Sequence, residues 1–199
     1  MIRFNNDQLE ITVLEPAADS GLLGSRYCAG GYVWQVTDRK RGHLLSGPGY
    51  PAENPPPVFD GQGLPESFRD VLWPGIDPRD HQAKPPVGTI GLKLGVGLVR
   101  ASEDERAIPV HAFSKWEITR TASSVVMRTS HELEGWAATV TRSLRLLGRT
   151  LTSETTLANT GRDPIHFRWF PHPFFPNTRG ECCKFNVRVT VAENPGFAL

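Results

Sequence analysis

The sequence lacks the features that mark several specialised protein classes. No apolar run approaches the roughly 18 residues a bilayer-spanning helix needs, so no membrane partner is expected. The opening residues, Met1-Ile2-Arg3-Phe4-Asn5-Asn6-Asp7, turn polar at once and offer no apolar stretch for a secretion signal. Neither sign of charge is in excess. The 22 Lys+Arg and 21 Asp+Glu leave a formal net charge of +1, too little to gather nucleic acid or an acidic membrane. Arg39-Lys40-Arg41 is a short basic run and reads as a solvated loop. There are only three cysteines, Cys28, Cys182 and Cys183. Adjacent cysteines make a strained disulfide, and no second Cys/His pair stands at zinc-site spacing. The expectation is a reduced, cytoplasmic chain with no metal and no cofactor. The glycines between Gly88 and Gly97 are not followed by Gly-Lys-Ser/Thr, which argues against a phosphate loop. Strands do not alternate with helices, which argues against Rossmann and TIM layouts.

What is present is turn-rich β sequence. Gly (19) and Pro (17) are frequent among 199 residues, a composition that long helices do not tolerate. Residues 1 to about 45 carry short strand-like runs, Leu9–Leu14 and Gly31–Val36. Residues 46–108 are loop-rich, with Asn54-Pro55-Pro56-Pro57, Trp73-Pro74-Gly75 and Lys84-Pro85-Pro86, and their interspersed aromatics argue for packing. From about 109 to 192 the chain reads as consecutive strands: Val110–Ile118, Ser123–His131, Trp136–Leu147, Arg149–Ala158, Ile165–Phe170 and Lys184–Val191. Turn signals separate them at Glu134-Gly135, Gly148-Arg149 and Asn159–Pro164. Short strands every 12 or so residues indicate one all-β domain over residues 1–199, an antiparallel β-sandwich with 46–108 as a loop-rich insertion.

The stretch richest in chemistry is Pro164-Ile165-His166-Phe167-Arg168-Trp169-Phe170-Pro171-His172-Pro173-Phe174-Phe175-Pro176. Flanking prolines hold His172 in a stiff backbone. The apolar face of a sugar can stack on neighbouring aromatics, and a fixed imidazole can hand over a proton. The alternative is a structural histidine in an aromatic core.

A strand running into Leu157-Ala158-Asn159-Thr160-Gly161, then a strand ending His172-Pro173-Phe174-Phe175, resembles the aldose 1-epimerase or galactose mutarotase superfamily. Phe113–Ile118 and Trp136–Leu146 are similar to strands that precede this segment in that superfamily. The resemblance implies a β-supersandwich that takes a small-molecule sugar and interconverts its anomers without a cofactor. It makes His172 the catalytic acid that protonates the ring oxygen. Asp60 stands where the family carries an earlier active-site histidine. Asp60, Glu66, Arg69, His166 and Phe174 are the expected substrate contacts, because carboxylates and guanidinium groups bind hydroxyls and an aromatic ring stacks.

The family's general base is a glutamate near the end of a longer chain. This chain closes on Asn194-Pro195-Gly196-Phe197-Ala198-Leu199, a turn of the kind met inside a domain. The expectation is therefore a member lacking C-terminal strands, with Glu66, Asp70 or His166 as stand-ins for the base. Three functions stay open: an anomer isomerase, a non-catalytic carbohydrate-binding sandwich, and a structural domain whose open sheet edge pairs two copies.

Overall fold

The structure, a computed structural model, describes residues 1–45, 62–77, 80, 82–104 and 108–176. Asp60, Cys182, Cys183 and the strand expected at 184–191 lie outside the described residues. Within them the fold is all-β and antiparallel, with one short 3-10 turn at Ser20–Leu22 and no α-helix. Among the described residues no helix is long and apolar enough to cross a membrane.

Two four-stranded sheets face each other. The first runs in the order β1 (Ile2–Asn5), β2 (Leu9–Val13), β3 (Val33–Asp38), β4 (Gly42–His43). Three short strands follow in the chain: β5 (Glu66–Phe68), β6 (Ile90–Lys93) and β7 (Gly97–Arg100). After β8 (Val110–Phe113) come β9 (Glu117–Arg120), β10 (Ser124–Leu133), β11 (Trp136–Leu147) and β12 (Thr150–Asn159), the last four building the second large sheet. β6, β7 and β8 form a three-stranded sheet, and β5 pairs with β13 (Trp169–Pro171).

Alternation along the long strands explains why they sit where they do. On β10, Val125, Met127, Thr129 and His131 are buried while Arg128, Ser130 and Glu132 are exposed. On β11 the buried set is Ala138, Val140, Arg142, Leu144 and Leu146. A period of two sends these residues to one face, against the first sheet. There Val125, Met127, Leu144 and Leu146 meet Ile2, Phe4, Ile11, Val13, Val33 and Val36 in the main core. Two-residue turns fix the meander's register. Leu133 pairs with Trp136 across Glu134-Gly135, and Leu147 pairs with Thr150 across Gly148-Arg149. All three strands expected there are found, each within a residue or two of its expected ends.

Two differences have clear causes. The run 110–118 is two strands in two sheets, because the chain bends at Ser114-Lys115-Trp116 to carry the Trp116 ring against the backbone at Gly30, where an added Cβ would sit 2.3 Å from it. The expected strand at 165–170 is a strand only from Trp169 to Pro171. The loop-rich middle also contributes sheet. The Gly88–Gly97 stretch is a β6–β7 hairpin, and Gly63 (φ 73) brings the chain onto β3, its missing side chain making room for the Val33 carbonyl.

Candidate functional site

The β5–β13 ribbon carries most of the residues expected to bind a ligand. Trp169 pairs with Phe68, Phe170 with Ser67, and Pro171 with Glu66. Beyond the strand ends, Arg69 N–H donates to the Arg168 carbonyl, His172 N–H to Pro65, and Phe174 N–H to Gly63, at 2.8–2.9 Å. The amides of 172 and 174 therefore point inward, while positions 171 and 173, which point outward, are prolines with no amide to lose. That register keeps the prolines in the ribbon and splits its side chains between two faces.

On one face lies His172, partly buried among rings. Phe174 packs edge-on at 4.5 Å between centroids, Phe170 at 5.8 Å and Tyr27 at 6.0 Å. The Tyr27 hydroxyl is 3.4 Å from His172 Nδ1. When that hydroxyl donates, the imidazole proton sits on Nε2, which turns the donor away from Tyr27. Tyr27 in turn packs on Tyr32, whose hydroxyl donates to the Gln62 carbonyl at 2.8 Å, and Tyr32 on Trp34. The imidazole thus ends an aromatic row anchored in the first sheet.

Further along the same face is a cavity of about 380 Å³ lined by Ser25, Arg26, Ser67, Arg69, Lys93, Ile108 and Phe170. Lys93 is buried, and its Nζ donates to the Arg69 carbonyl at 2.8 Å. Burial pushes the amine down to about 8, with the charge of Asp70 working the other way and that of Arg69 adding to the drop. Asp70 lines the neighbouring cavity of about 560 Å³ and is held two-pronged by Arg168. Burial acts to raise its carboxyl, but the Arg168 hydrogen bond and charge outweigh that and hold it below its usual value.

Glu66 points to the opposite face. Its carboxylate lies 2.6 Å from Arg142 Nη1 and takes hydrogen bonds from Trp169 Nε1, at 3.0 Å, and from the Ser153 and Thr155 hydroxyls. Both partners are buried: Arg142 is 1% exposed and Glu66 8%. Arg142 also donates to the carbonyls of Gly30, Gly31 and Glu154. A Cβ at Gly31 (φ 66) would come within 2.8 Å of its guanidinium. This network ties β5 to β11 and β12 beneath an apolar cleft of about 620 Å³ walled by Phe68, Leu157, Phe167 and Trp169.

The structure thus brings His172 and Phe174 together and sets Arg69 one ring away, beyond Phe170. It puts Glu66 on the other side of the ribbon, in a charge network. His166 is exposed and precedes β13, so no unbroken strand aligns it with His172. Tyr27, Arg26, Ser67 and Lys93 were not among the expected contacts. Lys93 had a signal, a cation inside the apolar run Ile90–Leu94. Arg142 had the same kind of signal, a charge at the core-facing phase of Val140-x-Arg142-x-Leu144. Among the described residues no three His, Cys, Asp or Glu side chains are grouped as a metal site. No family model, curated protein or solved structure matches the chain.

Proposed function

We propose that the chain is a galactose mutarotase-like protein that binds a sugar against the His172 face of the β5–β13 ribbon and interconverts its anomers. The observation that carries this reading is the setting of His172: an imidazole fixed between prolines, ringed by Phe170, Phe174 and Tyr27, with Nδ1 facing the Tyr27 hydroxyl. Aromatic rings offer the flat apolar surface on which a pyranose stacks, and a positioned Nε2–H offers an acid. In the reaction, His172 in its imidazolium form gives the Nε2 proton to the ring oxygen and is left as the neutral imidazole, its Nδ1 proton held toward the Tyr27 oxygen, while a base takes the proton of the anomeric hydroxyl. The bond between C1 and the ring oxygen breaks, the aldehyde rotates about C1–C2, and the ring closes on the other face. Both protons then return.

A second reading, sugar binding without catalysis, draws support from the carboxylates. Glu66 and Asp70 are each engaged by an arginine, and Glu66 faces away from His172. NMR exchange spectroscopy on a panel of free aldoses separates the two. Accelerated α/β exchange that disappears in His172→Ala supports the isomerase. Ligand-dependent line broadening without accelerated exchange supports binding alone, and the absence of both rules out the sugar reading.

A further inference from the structure

Three cations far apart in the sequence, Arg26, Arg69 and Lys93, converge on one cavity, and none of the described residues lining it is a carboxylate. Lys93 is the most informative of them. It is 5% exposed, yet among the described residues its ammonium makes one hydrogen bond, to the Arg69 carbonyl, and has no carboxylate within ion-pair distance. An ammonium carries three protons, and leaving two without acceptors in a buried site is unfavourable unless something else accepts them. Asp70 attracts Lys93 only from a distance, since its own oxygens hold Arg168. The Ser67 hydroxyl, donating to the Arg26 carbonyl at 2.7 Å, pins the backbone from which the Arg26 side chain leaves, and the Arg26 guanidinium lies 5.5 Å from the Tyr27 ring centre. Phe170 forms one wall of the cavity and packs on His172, so the cationic cavity and the imidazole share a face.

We propose that this cavity binds an oxyanion, the phosphate or carboxylate substituent of the ligand whose sugar ring lies at His172, with Lys93 and Arg69 as its charge partners. The cavity itself stands on the residues just named; only the attachment of the anion to a sugar rests on the function proposed above. A guanidinium fork and a buried ammonium together suit a group with several acceptor oxygens, and about 380 Å³ lies within the range of small-ligand sites.

The test is calorimetric titration of the full chain with inorganic phosphate, glucose, glucose 6-phosphate and glucuronate. The variants are Arg69→Gln, whose side chain is exposed and removable without a buried void, Lys93→Met, and Arg39→Gln in the remote basic run. Phosphate is expected to bind the wild type and Arg39→Gln alike and to lose at least ten-fold in affinity in Arg69→Gln and Lys93→Met. Glucose 6-phosphate or glucuronate binding at least ten-fold tighter than both phosphate and glucose places the anion on the sugar, and the tighter of the two names the substituent. Phosphate that does not bind, or binds Arg69→Gln as well as the wild type, overturns the cavity. Arg69-dependent phosphate binding with neither sugar anion exceeding phosphate itself leaves the cavity standing and overturns its link to the sugar.

Discussion

His131 joins three strands through a neutral ring. From β10 it accepts the Gly95 N–H at Nε2, 2.9 Å away in the β6–β7 turn, and its Nδ1 lies 3.0 Å from the Ser114 hydroxyl just past β8. Because Nε2 accepts, the ring proton sits on Nδ1 and is donated to Ser114. A second proton would have to go on Nε2, against the amide hydrogen of Gly95, in a site 4% exposed. Burial holds the imidazole down to about 4 from an ordinary 6.5. Between those values the unfolded chain binds a proton that the folded chain refuses, so stability falls as the pH drops through this window and levels off below it. The gap of roughly 2.5 pH units corresponds to about 3 kcal/mol at 1.36 kcal/mol per unit. Urea unfolding of wild type and His131→Gln at pH 7 and pH 4 measures it. Asp38, held at about 2 by Arg149, is common to both proteins and cancels in the difference. The wild type's advantage should shrink by about 3 kcal/mol at the lower pH. An advantage that stays constant, or a His131 ring that titrates near 6.5 in the folded protein, would refute the reasoning.

Two other perturbations probe the core of the site. Arg142→Met leaves the Glu66 carboxylate buried without its cation and should cost about 3–5 kcal/mol in urea unfolding, with Arg142→Met/Glu66→Gln recovering part of the loss. A loss under about 1 kcal/mol would show that the network does not hold β5 in place. Cys28 is fully buried, and burial pushes its thiol up to about 11 despite the opposing charge of Arg142. Peptide mapping should find Cys28 unmodified by iodoacetamide in the native protein at pH 8 and modified after denaturation. Native labelling at Cys28 would contradict its placement against Gly95.

The β10–β12 meander was legible because its signals are local: strict alternation and two-residue turns that set register without reference to the rest of the chain. β5, β6 and β7 were not, because strands of three or four residues inside Pro- and Gly-rich sequence are defined by partners the sequence does not reveal. The site divides the same way. His172 and Phe174 belong to one short segment, and their rings pack together. Whether Glu66 or Ser67 faces His172 depends on a single-residue register between β5 and β13, which sequence cannot supply. The cationic cavity was invisible for a related reason. Arg26, Arg69 and Lys93 belong to no cluster in the sequence, and a near-neutral chain gave no hint that they meet.

The central claim is that ligand binds on the His172 face of the ribbon. Nitrogen-resolved NMR of the histidine rings during an aldose titration tests it most directly, with His131 as an internal control buried away from solvent. The account predicts that the His172 Nε2 signal shifts in a saturable way while His131 stays fixed. A ring signal of His172 that does not move under saturating sugar, with shifts confined to Trp169 and the cleft above Glu66, would contradict it.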